Sequence, residues 1–341
     1  MKAVALTRYL PIADPESLVD VTLPDPVAAG HDLLVRVAAV SVNPVDTKQR
    51  APNAKVEAQP RVLGWDAAGT VVGAGPEVRL FKTGDEVYYA GDVTRPGSNS
   101  ELQLVDERIV ARKPRTLDFA QAAAIPLTAI TAWEAYFDRM KIDPDPGGAH
   151  RGAALLIIGG AGGVGSIGIQ IAKVVAGLKV IATASRPETV AWAKDLGADH
   201  VVDHSQPLRP QIEALGLKFV DYIANFNDTD RYWEQMGDLV RPQGALCMIV
   251  GSKGPLAQDA VRGKSATVCW ELMFTRPRFQ TPDMIEQHRL LTRVAELIDA
   301  GRIRGTLRET LRPINAANLR TAHAKLESGK TIGKLVVAGW S

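Results

Sequence analysis

From Met1 to about Pro126, apolar residues come in short runs or alternate with polar ones. The segments MKAVALTRY, LLVRVAAVSV, AAGTVVGAG, DEVYYAG and SELQLVDERIVARKP show this pattern, with Gly, Pro, Asp and Asn between them. Alternation suits half-buried strands, because successive side chains point to opposite faces of a sheet. The first third of the chain therefore predicts a β-rich domain. At AAAIPLTAITAWEAYFDRM the apolar spacing changes to three and four, the repeat of a helix with one buried face.

Strands and helices then alternate. The runs ALLIIG, LKVIATAS, DHVVDH, FVDYIANF and GALCMIV predict strands, with helical segments such as SIGIQIAKVVAG and ETVAWAKDLG between most of them. Such alternation predicts a parallel sheet covered on both faces. SATVCWELMF fits a sixth strand at an edge, and DPDPGGAHRG is a turn-rich loop ahead of the first of these strands. MIEQHRLLTRVAELIDAG and INAANLRTAHAKLESG read as amphipathic helices, and GKLVVAG as a closing strand. There are no internal repeats or low-complexity segments.

A length of 341 residues favours two domains over one. With 46% hydrophobic and 23% charged residues, a core of normal size can be buried. A formal net charge of +2 gives no electrostatic footprint for nucleic acid or an anionic membrane. No apolar run is long enough to span a bilayer, and the first residues lack a signal-peptide pattern. Two distant cysteines, Cys247 and Cys269, make neither a disulfide framework nor a Cys-rich zinc site, so a reducing cytoplasm is the default location.

The densest chemistry lies in IIGGAGGVGSIGIQIAK. Gly160, Gly162 and Gly165 fit G-x-G-x-x-G directly after a predicted strand and at the opening of a helix. Gly160 would permit the tight turn and Gly162 the approach of a pyrophosphate, while Gly165 would allow close packing of helix on strand. Gly163 and Val164 complete the cradle, whose amides and helix dipole hold phosphates without a cationic side chain. The bland alternative is a glycine-rich turn between packed elements. A carboxylate near the end of the second strand would select NAD by bonding the ribose 2′-hydroxyl. This chain has Ser185 and Arg186 there. A hydroxyl and a guanidinium suit a 2′-phosphate, so NADPH is the expected cofactor; otherwise Arg186 is an ordinary solvated arginine.

Together with SVNPVDTKQR, VLGWDAAGTVVGAG, GDEVYYAGDVTRPGSNSEL, AAAIPLTAITAWEAY and the terminal GKLVV, this loop resembles the medium-chain dehydrogenase/reductase superfamily. The quinone oxidoreductase-like branch, whose members often carry the label "zinc-type alcohol dehydrogenase-like", is the nearest match. The resemblance spans essentially the whole chain. It implies an α/β protein with a GroES-like β-rich catalytic domain (residues 1–127 and 276–341) and an inserted Rossmann domain (residues 128–275). It also implies that the nicotinamide lies in the cleft between them.

The departures from the zinc members carry information as well. Where those enzymes have a cysteine ligand this chain has Asn43, their Gly-His-Glu reads Gly64-Trp65-Asp66, and their four-cysteine loop has no counterpart. Amide and indole groups replace thiolate and imidazole, so no metal site is expected. Without a metal Lewis acid an alkoxide loses its main stabiliser. A quinone or an α,β-unsaturated carbonyl accepts hydride at carbon and spreads charge to oxygen, where hydrogen-bond donors suffice. The resemblance thus implies NADPH-dependent reduction of quinones or activated alkenes. A zinc-free carbonyl reductase or alcohol dehydrogenase and a redox-silent NADPH-binding protein are the alternatives.

Several side chains are candidates for that cleft. Asn43 either donates to substrate or nicotinamide, or caps a turn before Pro44. Asp46 and Lys48 either position the ribose or pair locally. Trp65 either walls the pocket or fills the space a metal would take, and Tyr89 is a proton donor or a packing residue. By family position Thr128 and Thr131 lie near the nicotinamide unless they merely cap a helix, and His204 contacts the adenosine end. Asn225, Val250 and Gly251 sit at the carboxyl ends of strands, where such sheets bind ligands. Lys334 reaches the cofactor or is an exposed lysine. Pairing through the edge strand near residues 266–274 would give a homodimer.

Overall fold

A computed structural model describes residues 1–340. The chain divides into two compact units: Met1–Ile130 together with the chain from Phe274 onward, and Thr131–Met273.

The second unit is built on six strands, β1 (Ala154–Ile158), β2 (Lys179–Thr183), β3 (His200–Val202), β4 (Val220–Asn225), β5 (Val240–Met248) and β6 (Thr267–Trp270). All pairings are parallel, in the order β3-β2-β1-β4-β5-β6. Every residue of β1 is buried, as a central strand covered on both faces must be. Four crossover helices are α1 (Gly163–Ala176), α2 (Pro187–Asp195), α3 (Leu208–Ala214) and α4 (Thr229–Leu239). Leu156, Ile158 and Ile223 of the sheet pack with Trp233 and Met236 of α4 in one apolar cluster. The strand order reverses between β1 and β4, the place where doubly wound sheets open a crevice for ligands. β6 has a neighbour on one side only, and Val268, Trp270 and Leu272 at this edge are exposed.

In the first unit, strand Asp32–Val42 is the hub of a seven-stranded sheet. It pairs antiparallel with Ala67–Ala74, Leu102–Asp106 and Lys334–Ala338. A separate three-stranded sheet places Lys2–Arg8 between Val19–Thr22 and Val56–Val62. Val19–Thr22, Val56–Val62 and Leu307–Leu311 escape the hydrophobic pattern for one reason: each is an edge strand with little buried face. Val56–Val62 even contains Pro60, tolerated where no neighbour needs its missing N–H.

The helical stretch read from AAAIPLTAITAWEAYFDRM is in three pieces. Phe119–Ala123 stops, Pro126 starts a second helix to Trp133, and Glu134–Arg139 continues in π-helical form. Proline lacks the N–H that a continuous helix would need but fits a first turn.

Candidate functional site

The glycine loop runs from the end of β1 into α1. Gly159 has φ +87°, in the left-handed region, and so makes the turn that the sequence reading gave to Gly160. Gly160 is required for a different reason: a Cβ there would lie 2.7 Å from that of Ala182. The loop is tied to the end of β2 by Gly159 N–H donating to Thr183 Oγ1 (3.0 Å) and Gly160 N–H donating to Thr183 O (3.1 Å). At Gly165 a Cβ would come within 2.2 Å of the Gly159 carbonyl oxygen, so the helix sits directly on the loop backbone. Gly162 differs, since its nearest neighbour would be 3.5 Å away. It is also the N-cap of α1, and no side chain caps the helix. The first-turn amides around Gly163 and Val164 are therefore left for a ligand, at the positive end of the helix dipole. These residues fit the pyrophosphate of a dinucleotide.

Ser185 and Arg186 follow β2. Ser185 is exposed, and its hydroxyl lies 3.3 Å from His204 Nε2 beyond the end of β3. Arg186 is the N-cap of α2, and its guanidinium pairs with Glu188 at 2.9 Å. Sequence reasoning passed over Glu188, whose position in the first turn of α2, two residues after Arg186, was the available signal. The Asn225 amide shapes the turn after β4: Nδ2 donates to Asp228 O (3.2 Å), and Oδ1 accepts from Asn227 N–H (3.0 Å). Val250 O accepts from the Thr229 hydroxyl, and Gly251 is open to solvent.

A buried polar cluster lies in the other unit. Lys334, on the closing strand, is 3% exposed and not the solvent-exposed lysine of the bland reading. Its ammonium lies 3.1 Å from Asp66 Oδ2 and also donates to Asn43 Oδ1 and to Val42 O (3.3 Å). Asn43 Nδ2 donates to Asp66 Oδ2 (3.1 Å) and Ser41 O (3.2 Å). Both ends of the Asn43 amide are thus engaged within the protein, and Asn43 is the N-cap of helix Pro44–Arg50, so of the two alternatives the geometry favours the cap before Pro44 over a free donor. Its own N–H donates to Asp46 Oδ2 (2.7 Å), where Asp46 is the third residue of helix Pro44–Arg50. Asp66 Oδ1 accepts from Leu127 N–H (3.0 Å), fixing the start of the helix that carries Thr128. Burial pushes the Asp46 carboxyl up to about 7, against the pull of the Asn43 N–H and the Lys334 charge. Burial raises Asp66 too, while Lys334, the Leu127 N–H and the Asn43 amide hold it down. Asp46 Oδ1 is buried with no hydrogen-bond partner.

The remaining candidates in this unit are packed. Trp65 is 1% exposed, donates Nε1–H to Asp92 O (3.1 Å), and meets Phe274 edge-on at 6.2 Å. Tyr89 is fully buried and donates to Gln103 Oε1 (2.8 Å), and burial pushes its hydroxyl pKa well up. That geometry corrects the proton-donor role, because the proton is committed to an internal acceptor and hard to lose. The Thr128 hydroxyl donates to Ile125 O (3.0 Å) within its own helix turn.

The zinc ligand set of the fold does not fit here. Position 43 offers an amide bonded to an ammonium, position 65 a buried indole whose N–H is spent, and the carboxylate at position 66 is already paired with Lys334 and bonded to Asn43 and Leu127 N–H. Among the described residues no group of three or more His, Cys, Asp or Glu side chains is arranged to hold a metal ion.

A second buried charge cluster has no counterpart in the sequence reading. Arg139 Nε donates to Glu271 Oε2 (2.8 Å), and its Nη2 lies 3.7 Å from Glu134 Oε2. Burial and the adjacent Glu134 push Glu271 up to about 9, against the pull of Arg139. The signal was the carboxylate in SATVCWELMF, an acid in an otherwise apolar edge segment.

Comparison with known proteins agrees with this architecture. A family model described as an alcohol dehydrogenase GroES-like domain matches residues 29–115, and one described as a zinc-binding dehydrogenase matches residues 196–337. A zinc-type alcohol dehydrogenase-like protein of Staphylococcus epidermidis is 41% identical over 337 residues, covering 99% of each chain. A crystal structure from Rhizobium etli, assigned to the zinc-dependent alcohol dehydrogenases, superposes with a TM-score of 0.95 at 53% identity, covering 100% of this chain and 98% of that one. A chloroplastic NADPH-dependent alkenal/one oxidoreductase of Arabidopsis thaliana is 38% identical over 227 residues, 63% of this chain and 55% of that protein.

Proposed function

Because the chain belongs to the medium-chain dehydrogenase/reductase superfamily, we propose that it is an NADPH-dependent reductase of quinones or α,β-unsaturated carbonyls that works without catalytic zinc. Family membership makes it an oxidoreductase acting on a small molecule. The observation that carries the finer reading is the replacement of a metal-ligand set by the Asn43–Asp66–Lys334 network. Such a site lacks a Lewis acid for simple alcohols but suits acceptors that already delocalise charge.

Bound NADPH supplies the hydride. The protein binds and orients. The uncapped amides of α1 and the open face of Gly162 receive the pyrophosphate, with Ser185 and Arg186 at the 2′-phosphate. His204, Asn225, Val250 and Gly251 shape the carboxyl edge of the sheet along which the dinucleotide lies. In the catalytic domain Lys334 and Asp66 lock the Asn43 amide, and through Leu127 the same carboxylate fixes the helix bearing Thr128. Trp65, packed against Phe274, and Tyr89, bonded to Gln103, are buried supports of this domain rather than reacting groups. The relative from Arabidopsis, whose name states NADPH and an alkenal or enone substrate, supports the same assignment. The exposed Val268, Trp270 and Leu272 at the β6 edge favour a homodimer, which light scattering after gel filtration tests.

The test is consumption of NADPH absorbance with a panel of acceptors. Turnover with 1,2-naphthoquinone or a 2-alkenal and none with simple ketones supports the proposal. Turnover confined to simple ketones would instead make the protein a zinc-free carbonyl reductase.

A further inference from the structure

Three crossings of the sheet bring polar groups together beyond the ends of β2, β3 and β4. Ser185 and Arg186 come from the first, His204 from the second, and Arg231, on the first turn of α4, from the third. Arg231 Nη2 donates to His204 O (3.3 Å), while His204 Nε2 faces Ser185 Oγ at 3.3 Å. Burial, then Arg231 and to a smaller degree Arg186, holds the His204 imidazole below its usual pKa against the opposing Asp203, so both guanidinium charges are felt at one ring.

The arginines here differ in how far their charge is already neutralised. Arg186 pairs with Glu188 at 2.9 Å and Arg209 with Asp238 at 2.7 Å. Arg231 is exposed, and among the described residues no carboxylate lies within ion-pair distance of it. The nearby acids are spent on backbone: Asp228 caps α4 by accepting from Arg231 N–H (3.1 Å), Asp203 accepts from Ser205 N–H (2.8 Å), and Asp230 from Lys253 N–H (3.0 Å). His204 Nδ1 is buried without a partner. Beside it opens a cavity of about 310 Å³ lined by His204, Arg231, Arg209, Gln235 and Leu208. A guanidinium tethered to a backbone carbonyl, without a counter-charge and at the rim of a cavity, is prepared for a dianion that arrives with a ligand.

We infer that Arg231 is the principal 2′-phosphate-selecting residue of the cofactor site, with Arg186 secondary because Glu188 already holds it. This rests on the proposed NADPH binding. The phosphate would meet the uncompensated guanidinium from α4 first, with the shared guanidinium of Arg186 and the Ser185 hydroxyl, 3.3 Å from His204 Nε2, as secondary partners at the β2 end.

Calorimetric titration of the full chain with NADPH, NADH, 2′,5′-ADP and 5′-AMP tests it, on the wild type and on Arg231→Ala, Arg231→Lys and Arg186→Ala. Arg231→Ala should weaken NADPH and 2′,5′-ADP by about 10-fold or more, the low end for a hydrogen bond to a charged group. NADH and 5′-AMP should be unchanged, Arg231→Lys should recover part of the loss, and Arg186→Ala should cost less than Arg231→Ala. An unchanged melting temperature shows that folding is not the cause. Equal weakening of phosphorylated and unphosphorylated ligands would overturn the inference, placing Arg231 against the adenine. So would unchanged NADPH affinity in a variant of a wild type that binds it. A wild type that binds neither dinucleotide would defeat the underlying NADPH reading instead.

Discussion

Two glycines of one loop should fail in different ways when each gains a methyl group. In Gly165→Ala the new Cβ would sit 2.2 Å from Gly159 O and 2.7 Å from Gly160 Cα and O, all backbone atoms. Ordinary contact starts near 3.4 Å, so the helix must move off the loop by about 1.2 Å. Overpacking of this kind costs about 1–3 kcal/mol. At roughly 2–4 °C per kcal/mol for a domain of this size class, the melting temperature should fall by several degrees. Dinucleotide binding should fall with it, because the displaced backbone is the cradle. Gly162→Ala meets nothing closer than 3.5 Å within the protein and should melt as the wild type does. Its methyl instead occupies space that a phosphate would use, so NADPH affinity should drop without loss of stability. Differential scanning fluorimetry and calorimetric titration of both variants give the four numbers needed. If Gly162→Ala bound NADPH as tightly as the wild type, the assignment of Gly162 to close phosphate approach would be wrong.

Three further outcomes follow from the buried charges and the metal reading. Asp46 binds its proton more tightly folded, at about 7, than unfolded, near 3.8. Its contribution is therefore full below about 4 and is lost as pH rises to 7, by roughly 4 kcal/mol at most. Asp46→Asn should flatten that decline in melting temperature, and an unchanged profile would contradict it. Arg139→Met removes the cation that Glu134 and Glu271 share and should destabilise by about 3–5 kcal/mol in urea unfolding, whereas Glu271→Gln should be mild at neutral pH, where the folded carboxyl is still protonated. Elemental analysis after exhaustive dialysis should find far less than one zinc per chain; a stoichiometric value would defeat the metal-independent account.

Much of this fold is legible in the sequence because its strong signals are local. The parallel strands are nearly all apolar, the glycine loop has fixed spacing, and helix Glu286–Asp299 repeats every three to four residues. What escaped depends on partners far along the chain. Edge strands such as Leu307–Leu311 bury too little to leave a pattern. Asn43 looked like a free amide because its donor partner Lys334 and its acceptor partner Asp66 lie 291 and 23 residues away. Tyr89 is removed from chemistry by Gln103 and by burial, neither of which alternation reveals. Glu188 and Arg231 were legible in principle, one beside Arg186 and one just past a strand's carboxyl end. Only the three-dimensional arrangement shows that one arginine is neutralised and the other is not.

The most direct measurement is an isothermal titration of the full chain with NADPH and, separately, NADH. Saturable binding of about one NADPH per chain, about 10-fold or more tighter than NADH, is the expected result. Failure to bind either nucleotide, or a preference for NADH, would contradict the central claim.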